Sequence, residues 1–554
     1  MKYILVCGGV ISGVGKGVVA SSIGRVLKEE GHRVTIIKID PYLNFDAGTL
    51  GPRDHGEVFV LSDGTETDLD LGNYERFLGV NLTRQNSITS GRMYQEVITR
   101  ERRGDYLGKT VQVVPHVTDH IKMNIKKASL ISVDGGVALP NVCIIELGGV
   151  VGDIESITFV ESLRQMLIEA GRKDFVVVGV DYALELNQEH KTKPIQASAK
   201  RARELGIPYD VMVCRSANKI SEEALGKIRL FTGVESIVEL PNGNILDVPA
   251  DLRRSGFVEY IKERLVLPEV TPGEDKGVYF RDIIALRKRR VRVALVGKYA
   301  YHDDAYLSIR ESLNFAGAVP EVDMDVEIES FDTITFADRA NLPILQGFDA
   351  IIIPGGFGRR GVEEMITVAG YAREMGIPLL GICLGMQIIT IEYARNVLGL
   401  ANATSEELVL EEDVHTIIDD KINLEEMPED EGTYVLAVSK NPGPMRIGEQ
   451  KTLTIPGSKL DSIYGSPAGG VIFERFRHRY GINGALSQAL EKGGLMIGIK
   501  NARYIDGVEL PSHPFYVGVQ FHPEFLSKPR EPRPVFIALL KAALNRQSVR
   551  RQSE

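Results

Sequence analysis

The feature that most restricts this chain's fold is a recurring unit: a short apolar run rich in β-branched residues, followed by a stretch with helical spacing. In the first half the runs are "YILVC", "RVTIIKI", "NVCIIEL", "DFVVVGV" and "DVMVC"; in the second they are "VRVALVG", "DAIIIPG", "IPLLGIC" and "FYVGVQF". Runs apolar at successive positions suit strands buried on both faces, which parallel sheets covered by helices provide. Both halves are therefore expected to be α/β, doubly wound and mostly parallel. At about 100–200 residues per domain, 554 residues accommodate several domains. The break falls in "TPGEDKGVYFRDIIALRKRR", which opens on Pro-Gly, is polar, and ends in a basic cluster before a new strand at Val291. The expected division is a first domain at 1–272, a linker at 273–290, a second domain at 291–545 and a tail at 546–554. The tail holds Val549 as its apolar residue and is expected to be mobile. "SEELVLEEDVHTIIDD", with "MPEDEG" after it, reads as an exposed acidic insertion.

Composition narrows the function classes. With 44% hydrophobic and 25% charged residues the chain is expected to be soluble and globular. A net charge of -10 argues against a nucleic-acid partner. No run reaches the roughly 18 apolar residues of a membrane span, and "MKYILVCGG" is too short for a signal peptide. Cys7, Cys143, Cys214 and Cys383 have neither disulfide nor zinc spacing, so a cytoplasmic location is expected.

Two motifs carry chemistry. The first is "GGVISGVGKG", between a strand and the helical "VVASSIGRVLKEEG". Backbone N–H groups and a helix N-terminus cradle phosphate in such a loop, and Lys16 can reach the terminal phosphates. Gly17 stands where the usual motif has a magnesium-binding hydroxyl, so cation ligands must come from elsewhere. Asp40 and Glu146 close strands, and Asp70 lies in "ETDLDLG"; magnesium favours one or two such carboxylates plus phosphate oxygens. A strand-end Asp is equally a turn former or helix cap. "KTKPIQ" by itself reads as a solvated charged loop. The second motif is "GICLG" at a strand-to-helix turn, where Cys383 is either a buried small hydrophobe or a nucleophile on an elbow. "VGVQFHPEF" supplies His522 as a base and Glu524 to hold it, provided the last strand lies near the elbow. "IIIPGGFG" ends a strand in two glycines suited to oxyanion donors. The three elements together favour catalysis.

"PGGFG", "GICLGMQ" and "FHPEF" resemble the triad domain of class I glutamine amidotransferases. "GGVISGVGKG", "DPYLN", "HGEVFV", "ETDLDLGNYERF", "KTVQVVPH", "GDIES" and "KTKPIQ" resemble the CTP synthase family, and the resemblance covers nearly the whole chain. The opening segment looks most like eukaryotic members. The resemblance implies glutamine hydrolysis in the second domain. Cys383 would form a glutamyl thioester with His522 as base and Glu524 as its partner. Gly356 and the amide of Leu384 would make the oxyanion hole, with Gly385, Met386 and Gln387 in the same glutamine-binding turn. Glu407 and Arg479 would hold the substrate's amino and carboxylate groups. The first domain would use Mg-ATP to phosphorylate O4 of UTP, and ammonia would displace that phosphate to give CTP, the last step of de novo CTP synthesis.

For that half the resemblance implies ATP binding at Gly13, Val14, Gly15, Lys16, Gly17 and Val18. Lys16 and Lys38 would assist phosphoryl transfer, and Asp70 and Glu146 would hold magnesium. Ser12, Asp153, Ile154, Glu155, Lys191, Thr192, Lys193, Pro194, Ile195, Gln196 and Lys227 match the UTP site, which overlaps the site of inhibition by CTP. His55 and Val58 match positions lining an ammonia tunnel. GTP activates the glutaminase in the family; Phe357 lies where guanine would stack, or is a packing residue. Family members form homotetramers, and some form filaments. Three positions depart from the pattern: Ile195 replaces a usual Thr, "NGNILDVP" lacks a tyrosine among the adenine contacts near residues 243–248, and "GPRDHGEVFV" replaces "SPYEHGEVFV". The competing readings are another P-loop glutamine-dependent amidotransferase, such as a cobyrinate-type amidase, and a non-catalytic nucleotide-sensing filament protein.

Overall fold

The computed structural model describes the chain apart from residues 10–12, 134, 137, 188, 272–286, 288, 409–434, 442, 466–469 and 554. Ser12, most of the expected linker and most of the acidic insertion lie outside the described residues. The chain separates into two compact units, one of Met1–Thr49 with Thr65–Ala285, the other of Leu50–Gly64 with Leu286–Glu554.

The first unit is built on a seven-stranded sheet. In chain order its strands are β1 (Lys2–Gly8), β2 (Val34–Asp40), β3 (Ser87–Thr89), β4 (Val142–Leu147), β5 (Phe175–Tyr182), β6 (Val211–Ser216) and β7 (Ser236–Pro241). They lie in the order β7-β6-β5-β1-β4-β2-β3, and every pairing is parallel. Tyr3, Leu5 and Cys7 enter one apolar cluster with Cys143, Ile145 and Val177, while Ile4, Val6, Ile144 and Val176 are buried on the other face. Both faces are thus covered, as the doubly wound expectation requires. All strands run the same way, so their carboxyl ends share one edge, where such sheets bind ligands. Helices α1 (Lys16–Glu29), α2 (Leu69–Leu78) and α3 (Lys193–Glu204) start at that edge's loops.

The second unit has a nine-stranded mixed sheet. Its strands are β8 (Arg290–Gly297), β9 (Asp325–Asp332), β10 (Ala350–Ile353), β11 (Leu379–Ile382), β12 (Arg446–Thr454), β13 (Val471–His478), β14 (Met496–Lys500), β15 (Ile505–Glu509) and β16 (Tyr516–Val519). The order is β9-β8-β10-β11-β16-β15-β14-β12-β13. The part from β9 to β16 is parallel, and the pairings beyond β16 are antiparallel. Along β8, Val291, Val293 and Leu295 enter one cluster while Ala294 and Val296 enter the other, the period-2 alternation of a strand between two apolar layers. Helix α4 (Leu384–Asn396) follows β11, and helix α5 (Pro534–Ser553) ends the chain.

Two expectations about boundaries are corrected. The first half does not form a contiguous domain, because Leu50–Gly64 clusters with the second unit. The tail is not loose: residues 546–553 continue α5. A helix already nucleated by its buried Val535, Phe536, Leu539, Leu540 and Ala543 propagates cheaply into a polar end. That end also finds carbonyl partners. Arg546 Nη1 donates to the carbonyls of Met375 (3.2 Å) and Gly376 (3.1 Å), and Gln547 Nε2 donates to Arg290 O (2.8 Å) and Asp349 Oδ2 (2.7 Å). Deleting residues 546–554 is therefore expected to lower stability by about 1–3 kcal/mol and to leave turnover unchanged. Thermal melts of the truncated chain check this; an unshifted melting temperature would mean these contacts contribute nothing.

Candidate active sites

In the first unit, sheet register assembles the charged cluster. Lys38 on β2 stands opposite Glu146 on β4, and Val6 on β1 stands opposite the same Glu146. Lys38 Nζ donates to Glu146 Oε1 at 3.1 Å and to Asp70 Oδ2, with Asp40 Oδ1 at 3.8 Å. Tyr74 OH donates to the other Glu146 oxygen. Burial opposes the charge on Lys38, but Asp70, Glu146 and Asp40 outweigh it and hold its pKa well above the ordinary lysine value. Burial pushes the Asp40 carboxyl up to about 7, against the pull of Lys38, and raises Glu146 too. Asp40 Oδ2 is buried without a hydrogen-bond partner. Asp70 enters the cluster from α2, whose N-cap Asp68 accepts the Asp70 N–H at 3.0 Å.

Lys16 opens α1 and is buried, its Nζ donating to Gly149 O at 2.9 Å. Burial lowers its pKa, while Glu146 and Asp70 work the other way. The structure explains the absent hydroxyl at position 17. A Cβ on Gly17 would fall 2.1 Å from Asp70 Oδ1, so the Asp70 carboxylate fills the space of the missing side chain. Gly17→Ser is expected to displace Asp70 and to slow ATP-dependent chemistry about 100-fold, with glutamine hydrolysis intact. Near-parental synthesis from added ammonia in this variant would refute the argument. Arg215, at the end of β6, was not legible as a site residue; its guanidinium lies where a Cβ of Gly15 would be, against the phosphate loop. Its only sequence signal is an arginine at a strand end.

The residues matched to UTP are scattered in character. Asp153, Ile154 and Glu155 are exposed in the loop after β4. Thr192 precedes α3, and Gln196 Nε2 donates to its hydroxyl at 3.0 Å; Lys193 and Pro194 form the first turn. Lys191 and Lys227 both act on Glu189, Lys191 through a 2.6 Å ion pair. The Ile195 side chain is fully buried in the apolar cluster with Ala199 and Ala202.

In the second unit, neighbouring strands bring the three catalytic elements together. Ile353 pairs with Gly381, and Gly381 with Gly518, so the ends of β10, β11 and β16 are adjacent. Cys383 caps α4 with φ 54° and ψ -102°, a strained conformation for a non-glycine residue. A Cβ on Gly385 would fall 2.0 Å from Ile353 O, so a glycine is needed for the turn to close against β10. His522 Nδ1 and Glu524 Oε1 are 2.7 Å apart. A Cβ on Gly355 would lie 2.8 Å from His522 Cε1 and 3.5 Å from Cys383 Cβ, so both side chains face the diglycine. Burial alone would depress the His522 pKa; Glu524 and Cys383 overcome it and raise it to about 10. Cys7, Cys143 and Cys214 lie within strands, and burial pushes their thiols up, Cys7 to about 12.

Around the triad, Glu407 Oε1 accepts the Gly358 N–H at 2.7 Å and Arg479 is exposed. Met386 is packed in the apolar core, and Gln387 Nε2 donates to Tyr480 O at 2.9 Å, so these side chains position the elbow. Sequence reading missed two residues. Gln520 Nε2 lies 3.6 Å from Cys383 Sγ. Lys298, just past β8, is buried and donates to Phe357 O at 3.0 Å and to Gly358 O, which fixes the loop holding Gly356. Burial lowers its pKa to about 8, with Glu407 opposing. Gln520 lies two residues before His522 in "VGVQFHPEF", and Lys298 directly follows the apolar run "VRVALVG"; residue type alone gives neither a role. Among the described residues no group of three or more His, Cys, Asp or Glu side chains could hold a metal ion, and no helix is long and apolar enough to cross a membrane.

Residues 2–267 match the family model for the CTP synthase N-terminus, and residues 302–542 match that for class-I glutamine amidotransferase. A CTP synthase of Methanopyrus kandleri is 43% identical over 549 residues, which cover 98% of this chain and 99% of that protein. The chain belongs to the CTP synthase family. The CTP synthase of Dictyostelium discoideum is 43% identical over 577 residues, covering 99% of each chain, and CTP synthase 2 of Saccharomyces cerevisiae 43% over 574, covering 98% of this chain and 96% of its own. Archaeal and eukaryotic CTP synthases thus match equally over the full length, whatever the opening segment resembles. The glutaminase domain of a Trypanosoma brucei CTP synthase, solved with acivicin, is 31% identical, covers 46% of this chain and 94% of its own, and has a TM-score of 0.39.

Proposed function

We propose that this chain aminates UTP to CTP, with ATP as co-substrate and glutamine as nitrogen donor, making it a glutamine-hydrolysing ligase. The observation that carries the mechanism is the joining in one chain of a strained Cys383 facing a Glu524-held His522 and a lysine–carboxylate cluster beside a phosphate loop. In the second unit the Cys383 sulfur attacks the side-chain carbonyl carbon of glutamine. The amides of Gly356 and Leu384 receive the oxyanion, and His522 passes a proton to the leaving nitrogen as the C–N bond breaks. Water then cleaves the thioester to glutamate. Glu407 and Arg479 offer opposite charges to a zwitterionic substrate.

In the first unit, residues 13–18 and the N-terminus of α1 hold the ATP phosphates, and Lys16 and Lys38 offset the charge of the phosphoryl group moving to UTP O4. Ammonia then displaces that phosphate. Asp70 and Glu146 fit a divalent cation, since both converge on the Lys38 ammonium and the neighbouring Asp40 keeps a buried oxygen unpartnered. Magnesium bound there would neutralise phosphate charge. Lys191, Thr192, Lys193, Gln196 and Lys227, with the 153–155 loop, are proposed to receive UTP, and CTP as inhibitor. His55 and Val58 are proposed to line the ammonia route. GTP is proposed as activator at Phe357, one face of which is taken by the Arg477 guanidinium 4.9 Å from the ring centroid. A cytoplasmic homotetramer, with filaments as a further assembly, completes the reading.

The test supplies UTP, ATP and magnesium with either glutamine or ammonia, with and without GTP, and measures CTP. CTP from both nitrogen sources is expected. Glutamine hydrolysis without CTP would point to another acceptor, as in cobyrinate-type amidases; neither activity would point to a nucleotide-sensing assembly protein.

A further inference from the structure

The segment Leu50–Gly64 comes from the first half of the sequence yet clusters with the glutaminase unit, and its ends re-enter the first unit at Thr49 and Thr65. Its attachment is dense. The Glu57 carboxylate accepts the Ser308 N–H at 3.0 Å and also the Ser308 hydroxyl, beside the start of the helix Leu307–Ala318. Arg475 on β13 is fully buried; its Nη1 donates to Val60 O at 3.0 Å and to Phe525 O at 3.3 Å, and its Nη2 to Ser62 Oγ at 2.9 Å. Ser62 O accepts the Glu449 N–H at 2.9 Å. Between these anchors stands Phe59, 1% exposed.

Phe59 meets Phe525 edge to face, with ring centroids 5.1 Å apart and planes at 66°. Phe525 in turn stacks flat on His522, at 4.9 Å and 11°. The imidazole is thus fixed by its Glu524 hydrogen bond at one ring nitrogen and by the Phe525 face, while the backbone N–H of His522 donates to Arg475 O at 2.8 Å. Phe59 therefore abuts the ring that makes this stack. We propose that Phe59, held by Arg475, is a positioning residue for the glutaminase base: the Leu50–Gly64 segment supplies the glutaminase unit with the backing of its catalytic histidine. A flat stack restricts the ring's tilt, and an aromatic edge restricts the stack; proton transfer to the leaving nitrogen depends on that tilt. The inference rests on the glutaminase reading above.

The test compares full-length Phe59→Ala, Phe59→Leu and Phe59→Tyr with the parent, using glutamine hydrolysis for kcat and KM and added ammonia for synthesis. Phe59→Ala is expected to lower glutaminase kcat about tenfold with KM within twofold. Phe59→Leu, which fills most of the volume without a ring edge, should follow Ala, whereas Phe59→Tyr should recover at least half of the parent kcat. Ammonia-dependent synthesis in each variant reports that the chain is folded. Equal kcat in Leu and Tyr variants, or a loss that falls on KM, would overturn the proposal and leave Phe59 a packing residue. Should Phe59→Ala not fold, the Leu and Tyr pair still decides. A parent without glutaminase activity would instead refute the underlying reading.

Discussion

Cys383→Ala is expected to remove glutamine-dependent CTP formation, by roughly ten-thousand-fold or more, and to leave synthesis from added ammonia near the parental rate. The sulfur is the nucleophile that bonds to the glutamine carbonyl carbon, and without it no thioester forms. The oxyanion donors survive in the variant, but they stabilise a charge that no longer forms. Nothing in the first unit's cluster of Lys16, Lys38, Asp70 and Glu146 involves Cys383, so that chemistry is untouched. The variant should also report on the triad's electrostatics. Glu524 and Cys383 together raise His522 to about 10 against burial, so removing the sulfur should let the imidazole titrate below that value, which NMR of the ring can follow. Loss of ammonia-dependent synthesis in a folded Cys383→Ala chain would overturn the division of labour. An unchanged His522 titration would show that Glu524 opposes burial there without help from Cys383.

The parts of this fold that were legible are those written in local pattern. Each β-branched run became a strand, because residues such as Ile4 and Val6 or Leu5 and Cys7 must be buried on both faces, and continuous apolarity records that directly. The elbow was legible as a turn but ambiguous as chemistry. Only the pairing of Gly381 with both Ile353 and Gly518 places Cys383 beside His522 and the diglycine. What stayed hidden depends on long-range placement. Val471–His478 breaks the buried-run signature, because charged Glu474 and Arg475 sit in its middle and are buried while Val471 and Phe473 are exposed. Lys298 and Arg215 are single cations at strand ends, and only packing shows that one fixes the Phe357–Gly358 carbonyls and the other meets the phosphate loop. Leu50–Gly64 left no compositional mark of belonging with the second unit, since excursions between domains alter contacts and not composition. The tail was misread for the opposite reason. Its residues were judged on their own apolar content, whereas its order comes from the helix behind it and from carbonyls supplied by distant loops.

Lys16→Ala is expected to lower CTP formation from either nitrogen source by roughly 100- to 1,000-fold while glutamine hydrolysis persists. Phosphoryl transfer needs positive charge fixed where negative charge spreads in the transition state, and little else from the protein. Lys16 is suited to this because it cannot wander. It is 7% exposed, sits on the first turn of α1, and donates to Gly149 O at 2.9 Å. Lys38 cannot move into the place of Lys16, because its ammonium is anchored by Asp70 and Glu146. Lys16→Arg should rescue poorly, since the larger guanidinium must enter a buried space bounded by Gly8, whose Cβ position is already 3.2 Å from Lys16 Cδ. Ammonia as nitrogen donor isolates the step from the glutaminase, and a parallel glutamate assay confirms that the second unit works. Recovery of more than half the parental ammonia-dependent rate in Lys16→Ala would mean that Lys16 does not assist the transfer.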